Sequence, residues 1–403
     1  MMKSYLNYWL RMIRCAIVGP PAFYIWNSIL TFLFLLGGIA YIYQLQNGLI
    51  VTNLTDQVSW GAYIANFTFL VGVAAAAVLL VFPTYVLHRE DVKDVVLLGE
   101  LMAFTAITMC LMFILVDMGR PDRFTHVMPV LGRLNFPRSV LAWDVVVLNG
   151  YLFLNLHVPG YLLYMTYKGK KPNKWLYIPF VFVSIAWAVS IHTVTAFLYS
   201  GLGGRPYWNT AILAPRFLVS AFAGGPAILI IVFTLVTLFT KLKVRPQVFD
   251  MLKKIAMVFL PINMFLFGSE IYKEFYTDSV HTESMRYLFF GSHGHAMLKP
   301  YIWASIVMSF TAMAIFYTPK LRQNSKTLIF ACVLAVLGIW IEKGMGLIIP
   351  GFIPTPLGDM VEYTPSLVEF FVCLGIWSFG ALLFTILAKV AVAIQVGELR
   401  ENS

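Results

Sequence analysis

Ten apolar runs, each long enough to cross a bilayer, constrain this chain more than any other feature of its sequence. A transmembrane helix needs about 20 consecutive apolar residues. In lipid each backbone polar group must also find its partner inside the protein, which favours helices. The sequence therefore predicts an all-α integral membrane protein, with 1–403 forming one membrane domain of about ten transmembrane helices. The runs occupy approximately 24–44, 59–86, 95–117, 140–167, 176–199, 217–240, 250–275, 299–318, 327–349 and 366–394.

Charge is scarce in this chain and unevenly placed. Only 12% of the residues are charged, against about 25% in soluble domains. If both termini are cytoplasmic, the cytoplasmic segments hold roughly two thirds of the 29 Lys and Arg residues, as the positive-inside rule requires. We therefore expect a multi-pass protein of the cell inner membrane with both termini in the cytoplasm. This bias explains the net charge of +10 without a nucleic-acid partner.

The four cysteines do not indicate a metal cluster. Cys15, Cys110, Cys332 and Cys373 lie in or beside apolar runs, and none belongs to a CxxC pair. Iron–sulfur clusters are normally held by clustered cysteines. We expect these thiols to be small apolar side chains of the core, and we expect neither an iron–sulfur cluster nor another metal site in this chain.

Polar and charged side chains inside the apolar runs carry the functional signal. Each charge at the centre of a bilayer costs at least ~2.5–3.5 kcal/mol on insertion scales, so each calls for a partner, water or a function. Helical spacing places several of them on shared faces. The second to fifth runs contain Tyr63, Asn66, Glu100, Asp117, Asp144, His192 and Tyr199, and the seventh, ninth and tenth contain Glu270, Glu342 and Glu369.

Charge concentrates again in the stretch DMGRPDRFTH, which begins at Asp117. Pro121 ends the helix there, and Arg120 and His126 lie on either side of it. A neutral ring with two carbonyls would need a His or Tyr donor, an arginine, a carboxylate that exchanges protons, and aromatic walls. The next loop on the same side adds Arg205, Trp208 and Arg216.

Each of these residues also has a plain structural explanation. Asn66 is explained equally well by hydrogen bonding between helices, and membrane tyrosines and tryptophans by an interfacial belt. A lone buried histidine such as His192 is more often a bonded interior residue than a ligand. The convergence of these residues on one side nevertheless favours a pocket.

Several motifs together resemble one known family. They are similar to the NrfD/polysulfide-reductase membrane-subunit family, in its ten-helix branch, over about residues 55–370. That branch includes the membrane subunits of alternative complex III and of quinone reductase complexes, and the likeness is greatest to those of sulfite-reduction-associated complexes. The motifs are WGAYIANFTFLVG, DMGRPDRF, AWDVVVLNGYLFLNL, IHTVTAFLYSGLGGRPYWNTAILAPRFLVSAFAGGPA and IEKGMGLIIPGFIPTPLGDMVEYTPS.

The resemblance implies a quinone-interacting subunit of a respiratory redox complex. Such a subunit would exchange electrons between menaquinone or ubiquinone and an iron–sulfur subunit on the periplasmic face. Other membrane and cytochrome subunits and lipid would surround it, and the complex would serve sulfur or sulfite metabolism. The resemblance also implies two four-helix bundles, 59–199 with the quinone site and 217–349, flanked by the first and last helices.

The resemblance also implies roles for individual residues. Asp117, His192 and Arg216 are expected to be catalytic, with Asp117 exchanging protons. Arg120 and Arg123 are expected to pair with Asp117 and with Asp122. Quinone contacts are expected at Tyr63, Asn66, Asp117, Arg120, His126, Asp144, His192, Tyr199, Arg205, Trp208 and Arg216.

Four buried acids call for a separate explanation. They are either paired structurally, with Glu342 opposite a Lys or Arg of another helix, or they belong to a water-linked proton relay. Because they lie at several depths, the relay is favoured. The four are Glu100, Glu270, Glu342 and Glu369.

Two other functions stay open from the sequence. Ten helices with buried acids and Gly/Pro breaks also fit a secondary transporter. A haem b anchor would use His157 and His192, which lie on neighbouring predicted helices but at different depths. Quinol oxidation by the complex, solute uptake into vesicles and a visible absorption spectrum would separate the three functions.

Overall fold

The computed structural model describes residues 2–128, 130–279 and 282–401, and helices dominate these ranges. Ten of the described helices are long and apolar enough to cross a membrane, which confirms the predicted fold class. They are α2 (Pro21–Asn47), α3 (Ala62–Tyr85), α4 (Lys93–Asp117), α5 (Val140–Tyr167), α6 (Ile178–Ser200), α7 (Leu213–Phe239), α8 (Pro246–Thr277), α10 (Lys299–Tyr317), α11 (Ser325–Lys343) and α12 (Leu367–Gln395). Two shorter helices are α1 (Met2–Ile17) and α9 (Thr282–Phe290).

The helices pack mainly against their neighbours in sequence. Helix α3 packs on α4, α4 on α5 and α5 on α6, while α7 packs on α8 and on α11, and α10 packs on α11. Helix α12 closes back on α2 and α4. Helix α3 also touches α6, α7, α11 and α12, so nearly all of it is buried. It therefore lies at the boundary between the two predicted bundles.

Local sequence explains several helix ends and one close crossing. At the start of α12, Ser366 and Glu369 form a capping box, in which each side chain bonds the other's backbone N–H. Asn324 caps α11 in the same position, through Lys326 N. Where α7 crosses α3, a Cβ on Gly225 would lie 2.6 Å from the Ala76 side chain, so only glycine fits there.

The chain ends and the loops divide between two faces. The connections α2–α3, α4–α5, α6–α7, α8–α10 and α11–α12 are long and lie on one side, here called the long-loop face. The opposite face carries the shorter connections and both chain ends. There α1 packs against α12, with Tyr8 buried against Tyr164 and Tyr167. The sequence did not predict α1 as a separate helix.

Candidate functional site

A cavity of about 470 Å³ opens at the long-loop face. Its volume lies within the range of roughly 300–1,000 Å³ that small-molecule sites occupy. The wall combines aromatic rings, one arginine and a glycine-rich turn. The lining residues are Ser59, Trp60, Gly201, Leu202, Gly203, Gly204, Arg205 and Phe352.

Two aromatic residues, Trp60 and Phe352, line this cavity, and the buried rings of Tyr199 and Trp208 pack behind them. Trp60 stacks on Trp208, with ring centroids 5.8 Å apart, and meets Tyr199 edge-on at 5.8 Å. Phe352 meets Trp208 edge-on at 5.1 Å. Trp208 is fully buried and donates from Nε1 to the Leu347 carbonyl at 2.8 Å. The indole is thus fixed, and the rings form a rigid wall.

Arg205 is the cation of the cavity. Its guanidinium carbon lies 4.6 Å from the centroid of the Phe352 ring, and Nη1 lies 3.5 Å from the Phe352 carbonyl oxygen. Partial burial lowers the pKa of Arg205, yet a guanidinium stays protonated in proteins. No carboxylate pairs with it among the described residues. Its remaining N–H groups are therefore free to meet an acceptor in the cavity.

A hydroxyl pair leads from the aromatic wall toward the interior. The Tyr199 hydroxyl lies 2.5 Å from Thr68 Oγ1. Thr68 in turn lines a second, smaller cavity of about 20 Å³, which also borders His192 and Lys343. That volume suits one water molecule and is too small for a ring. His192 Nδ1 lies 3.1 Å from the Ala188 carbonyl oxygen, while Nε2 has no hydrogen-bond partner in the part of the chain that the structure describes.

A buried charge cluster lies beside the small cavity. Arg216 of α7 forms ion pairs with Glu270 and, at 2.8 Å, with Glu342. Asn263 donates to the other oxygen of Glu342 at 2.8 Å. Lys343 Nζ lies 3.9 Å from Glu342. Arg216 therefore pairs with two acids of other helices and does not line the large cavity. Glu342 has a basic partner on another helix, as the structural explanation of the buried acids expects.

Asp117 lies at the end of α4 and is half-buried. Its Oδ1 is shielded from solvent and has no hydrogen-bond partner among residues 2–128, 130–279 and 282–401. The predicted pairing of Asp117 with Arg120 and Arg123 is wrong, since no such ion pair occurs among these described residues. The predicted pairing of Arg120 with Asp122 is confirmed, at 2.9 Å in an exposed loop. The backbone becomes extended at Met118, directly after Asp117. Arg120 pairs with the carboxylate of Asp122, two residues further along the chain. His126 lies in the same loop, where its side chain remains partly accessible to solvent.

Three other predicted contact residues are engaged within the protein. The Tyr63 hydroxyl donates to Gln44 Oε1 at 2.6 Å. The Asn66 side-chain oxygen accepts from the indoles of Trp340 and Trp377, at 3.0 and 2.9 Å. The third, Asp144, accepts from Thr195 Oγ1 at 3.0 Å. These bonds satisfy the polar atoms structurally, and roles in ligand binding stay predictions.

The remaining two buried acids lie apart from the cluster. Glu369 is fully buried and accepts from Asn53 N at 3.0 Å and from the Tyr363 hydroxyl, besides its cap bond. Glu100 is buried near the opposite end of α4, and its Oε2 has no hydrogen-bond partner within the described ranges. Their predicted place in a proton relay is not tested by these contacts.

His157, the other histidine considered for haem, lies outside both cavities. Its Nε2 lies 3.1 Å from the Leu176 carbonyl oxygen, and its ring packs against Phe180. His192 faces the small cavity. The two rings therefore do not share one space, as a pair of axial haem ligands would.

Comparison with known proteins agrees with this architecture. The sequence profile described as "Polysulphide reductase, NrfD" matches residues 50–354, which is most of the chain. The chain belongs to the NrfD family. The predicted resemblance is thereby confirmed, and the multi-pass membrane character of the chain follows from family and helices alike.

Three relatives show the breadth of the NrfD likeness. A membrane protein assigned to a dimethyl sulfoxide reductase of Halobacterium salinarum is 27% identical, covering 89% of this chain and 88% of the relative. The Hdr-like menaquinol oxidoreductase integral membrane subunit of Archaeoglobus fulgidus is 23% identical, covering 87% and 89%. The menaquinone reductase integral membrane subunit of Nitratidesulfovibrio vulgaris is 23% identical, covering 93% and 91%.

Within this NrfD chain, the motifs converge on the large cavity only in part. GLGGRPYW supplies Arg205 and Trp208, and Tyr199 precedes it at the end of α6. Trp60 and Phe352 line the cavity but were not predicted to be contacts. Both residues belong to motifs quoted above, WGAY and PGF. The sequence did not indicate that the fold brings them close to Arg205.

Proposed function

We propose that this chain is the quinone-interacting membrane subunit of a redox complex, exchanging electrons between membrane quinone and a partner subunit. The observation that carries the proposal is the 470 Å³ cavity at the long-loop face, walled by aromatic rings beside an arginine that lacks a carboxylate. Two relatives are named for menaquinol or menaquinone, which supports the same substrate class.

The cavity suits the chemistry of a quinone head group. Such a group is a flat apolar ring with two carbonyl oxygens. Trp60 and Phe352 offer ring faces and edges to the flat surfaces, and the Arg205 guanidinium offers N–H donors to one carbonyl. Menaquinone and ubiquinone share these features, so the cavity chemistry applies to both.

Oxidation of one quinol releases two electrons and two protons. We assign the electrons to an iron–sulfur partner docked on the long-loop face, because the cavity opens there. That face is periplasmic if the Lys and Arg bias holds, with both termini in the cytoplasm of a cell whose inner membrane holds the complex. We assign the distant oxidant or reductant of the complex to sulfur metabolism, which the family description "Polysulphide reductase, NrfD" supports.

The protons have two routes away from the cavity. Asp117 is the last residue of α4, at the long-loop face, and suits release toward that face. The Tyr199–Thr68 hydroxyl pair leads inward to His192, with Glu270 and Glu342 beyond. Proton translocation would use the inward route. The full set of hydrogen bonds on Glu369 favours a structural role for that acid.

The test is Arg205→Gln in the intact complex, with Arg14→Gln, an exposed arginine of α1, as the matched control. A charged hydrogen bond contributes about 1.5–3 kcal/mol, so the KM for quinol should rise about 10- to 100-fold. The control should keep the wild-type KM. An unchanged KM in assembled Arg205→Gln complex would exclude this cavity as the quinol site. Solute uptake into vesicles by the chain alone would support the transporter instead.

A further inference from the structure

Two residues of different helices that line the small cavity each have a buried nitrogen atom without a hydrogen-bond partner among the described residues. The atoms are Nε2 of His192, in α6, and Nζ of Lys343, at the end of α11. The two residues are only 1% and 3% exposed. Neither atom lies in the large cavity, and the large cavity does not explain them.

Leaving such groups unsatisfied is costly. A buried donor or acceptor without a partner loses its hydrogen bonds to water and gains none in return, and the cost is greater for a charged group. Native proteins therefore pair nearly all of them, often through ordered water. The cavity of about 20 Å³ has room for one water molecule. His192, Lys343 and Thr68 would give that water three polar neighbours.

Lys343 also completes the charge balance of the cluster behind it. Arg216 contacts both Glu270 and Glu342, so these three groups carry one excess negative charge when ionised. Lys343, 3.9 Å from Glu342, supplies the missing positive charge. It is thus the member of the cluster that also borders the cavity.

We propose that a water molecule occupies this cavity and that Lys343 acts through it on His192. The coupling rests on the proposed function, in which a quinol proton reaches His192. The protonated imidazole gives its Nε2 proton to the water, and the water gives one to Lys343 as Lys343 passes one to the Glu342 carboxylate. Water and Lys343 end unchanged, His192 becomes neutral, and Glu342 becomes protonated.

The water is tested by a methyl group placed in the cavity. Gly72 lines it, and a Cβ there would meet only Ala221, at 3.8 Å, which is ordinary contact. Gly72→Ala should displace the water without a clash. Because two nitrogens lose their partner, the intact complex should melt at a lower temperature than wild type. A dry cavity would give the opposite result, since alanine improves helix propensity and fills space.

The control for that variant is Gly38→Ala in α2, where an added Cβ meets nothing within 4 Å. This melting experiment needs no quinol. A higher melting temperature for Gly72→Ala, matching or exceeding the control, would overturn the water site whether or not the chain acts on quinones.

The coupling is tested by Lys343→Arg. Arginine keeps the positive charge but does not give up its proton in proteins. In the assembled complex, kcat for quinol oxidation should fall about 100-fold or more, with KM within twofold of wild type. Gly72→Ala should lower kcat in the same way and leave the KM equally unchanged.

Lys389 provides the matched control. Lys343 Nζ lies 5.3 Å from the centroid of the Phe217 ring, and Lys389 of α12 likewise lies over an aromatic ring, that of Phe23 at 3.5 Å. Lys389→Arg should keep wild-type kcat. If Lys343→Arg is as active as wild type while Lys343→Met is impaired, Lys343 only balances charge, and the coupling is wrong. Wild-type activity in both would also overturn it. If the coupling is overturned in this way but Arg205→Gln still raises the KM for quinol, the proposed function stands and only the role of Lys343 is wrong.

Discussion

At the scale of single residues, the tightest constraint near the large cavity is the space around Trp208. A Cβ on Gly351 would lie 2.0 Å from the Trp208 ring, which is closer than atoms approach. The indole cannot retreat, because its Nε1 is bonded to Leu347 and its ring stacks on Trp60. Glycine is therefore required at position 351 because the Trp208 ring leaves no room for a side chain, and not because of the backbone conformation there.

Gly351→Ala should consequently disturb the aromatic wall. Overpacking of a dense core costs typically about 1–3 kcal/mol, so we expect a lower melting temperature and a higher quinol KM together. Gly268→Ala, in α8, is the control, since an added Cβ there meets nothing within 4 Å. Tryptophan fluorescence and quinol kinetics of the complex would check both. Equal behaviour of the two variants would contradict the packing argument.

At the scale of elements, the loops of the long-loop face are tied together by one carboxylate. Glu362 of the α11–α12 connection accepts from Met297 N at 2.8 Å, from His295 Nδ1 at 3.1 Å and from the Tyr287 hydroxyl at 3.1 Å. Partial burial acts to raise the pKa of Glu362, but the hydrogen bonds from Met297, His295 and Tyr287 outweigh it and lower the pKa below its ordinary value.

The sign of this shift fixes a pH dependence. A carboxyl whose pKa is lowered on folding stabilises the fold above its unfolded pKa of about 4.5, and the contribution is lost as pH falls through the folded value. The hydrogen bonds to the Glu362 carboxylate should therefore persist unchanged from pH 8 to pH 5 and weaken only below about pH 4.5. Hydrogen exchange of residues 292–298, corrected for intrinsic rates, would measure it. Glu362→Gln should remove the acid-induced step, and a step that persists in this variant would assign it elsewhere.

At the scale of the whole molecule, the sequence predicted the membrane helices within a few residues, because an apolar run of fixed length defines each one. The partners of the buried polar groups were not predictable in the same way. Arg216 meets Glu342 across 126 positions, and Asn66 meets Trp340 across 274. Such pairs depend on how distant helices register against each other, which no local pattern encodes. The division into two four-helix bundles stays a prediction.

The same reasoning explains which parts of the candidate site were found. Tyr199, Arg205 and Trp208 come from one continuous stretch, so a single motif located all three near the large cavity. Arg216 stands only eight positions further on, yet one turn into α7 it already points to another cluster. Sequence proximity thus located loop residues well and helix residues poorly, because a helix distributes its side chains around the full circle.

Orientation in the membrane is the last prediction, and it decides where a partner can dock. The Lys and Arg bias places the long-loop face in the periplasm. Leu357 on that face and Trp175 on the other are 90% and 82% exposed. In a background with the four cysteines replaced, and with the chain expressed without its partner, Leu357→Cys should react with an impermeant maleimide in intact cells, and Trp175→Cys only in inverted vesicles. Because the electron-transfer partner is proposed to cover the long-loop face, assembly of the complex should protect Leu357→Cys and leave Trp175→Cys reactive. The reverse labelling pattern would place the quinone cavity on the cytoplasmic side, and the partner with it.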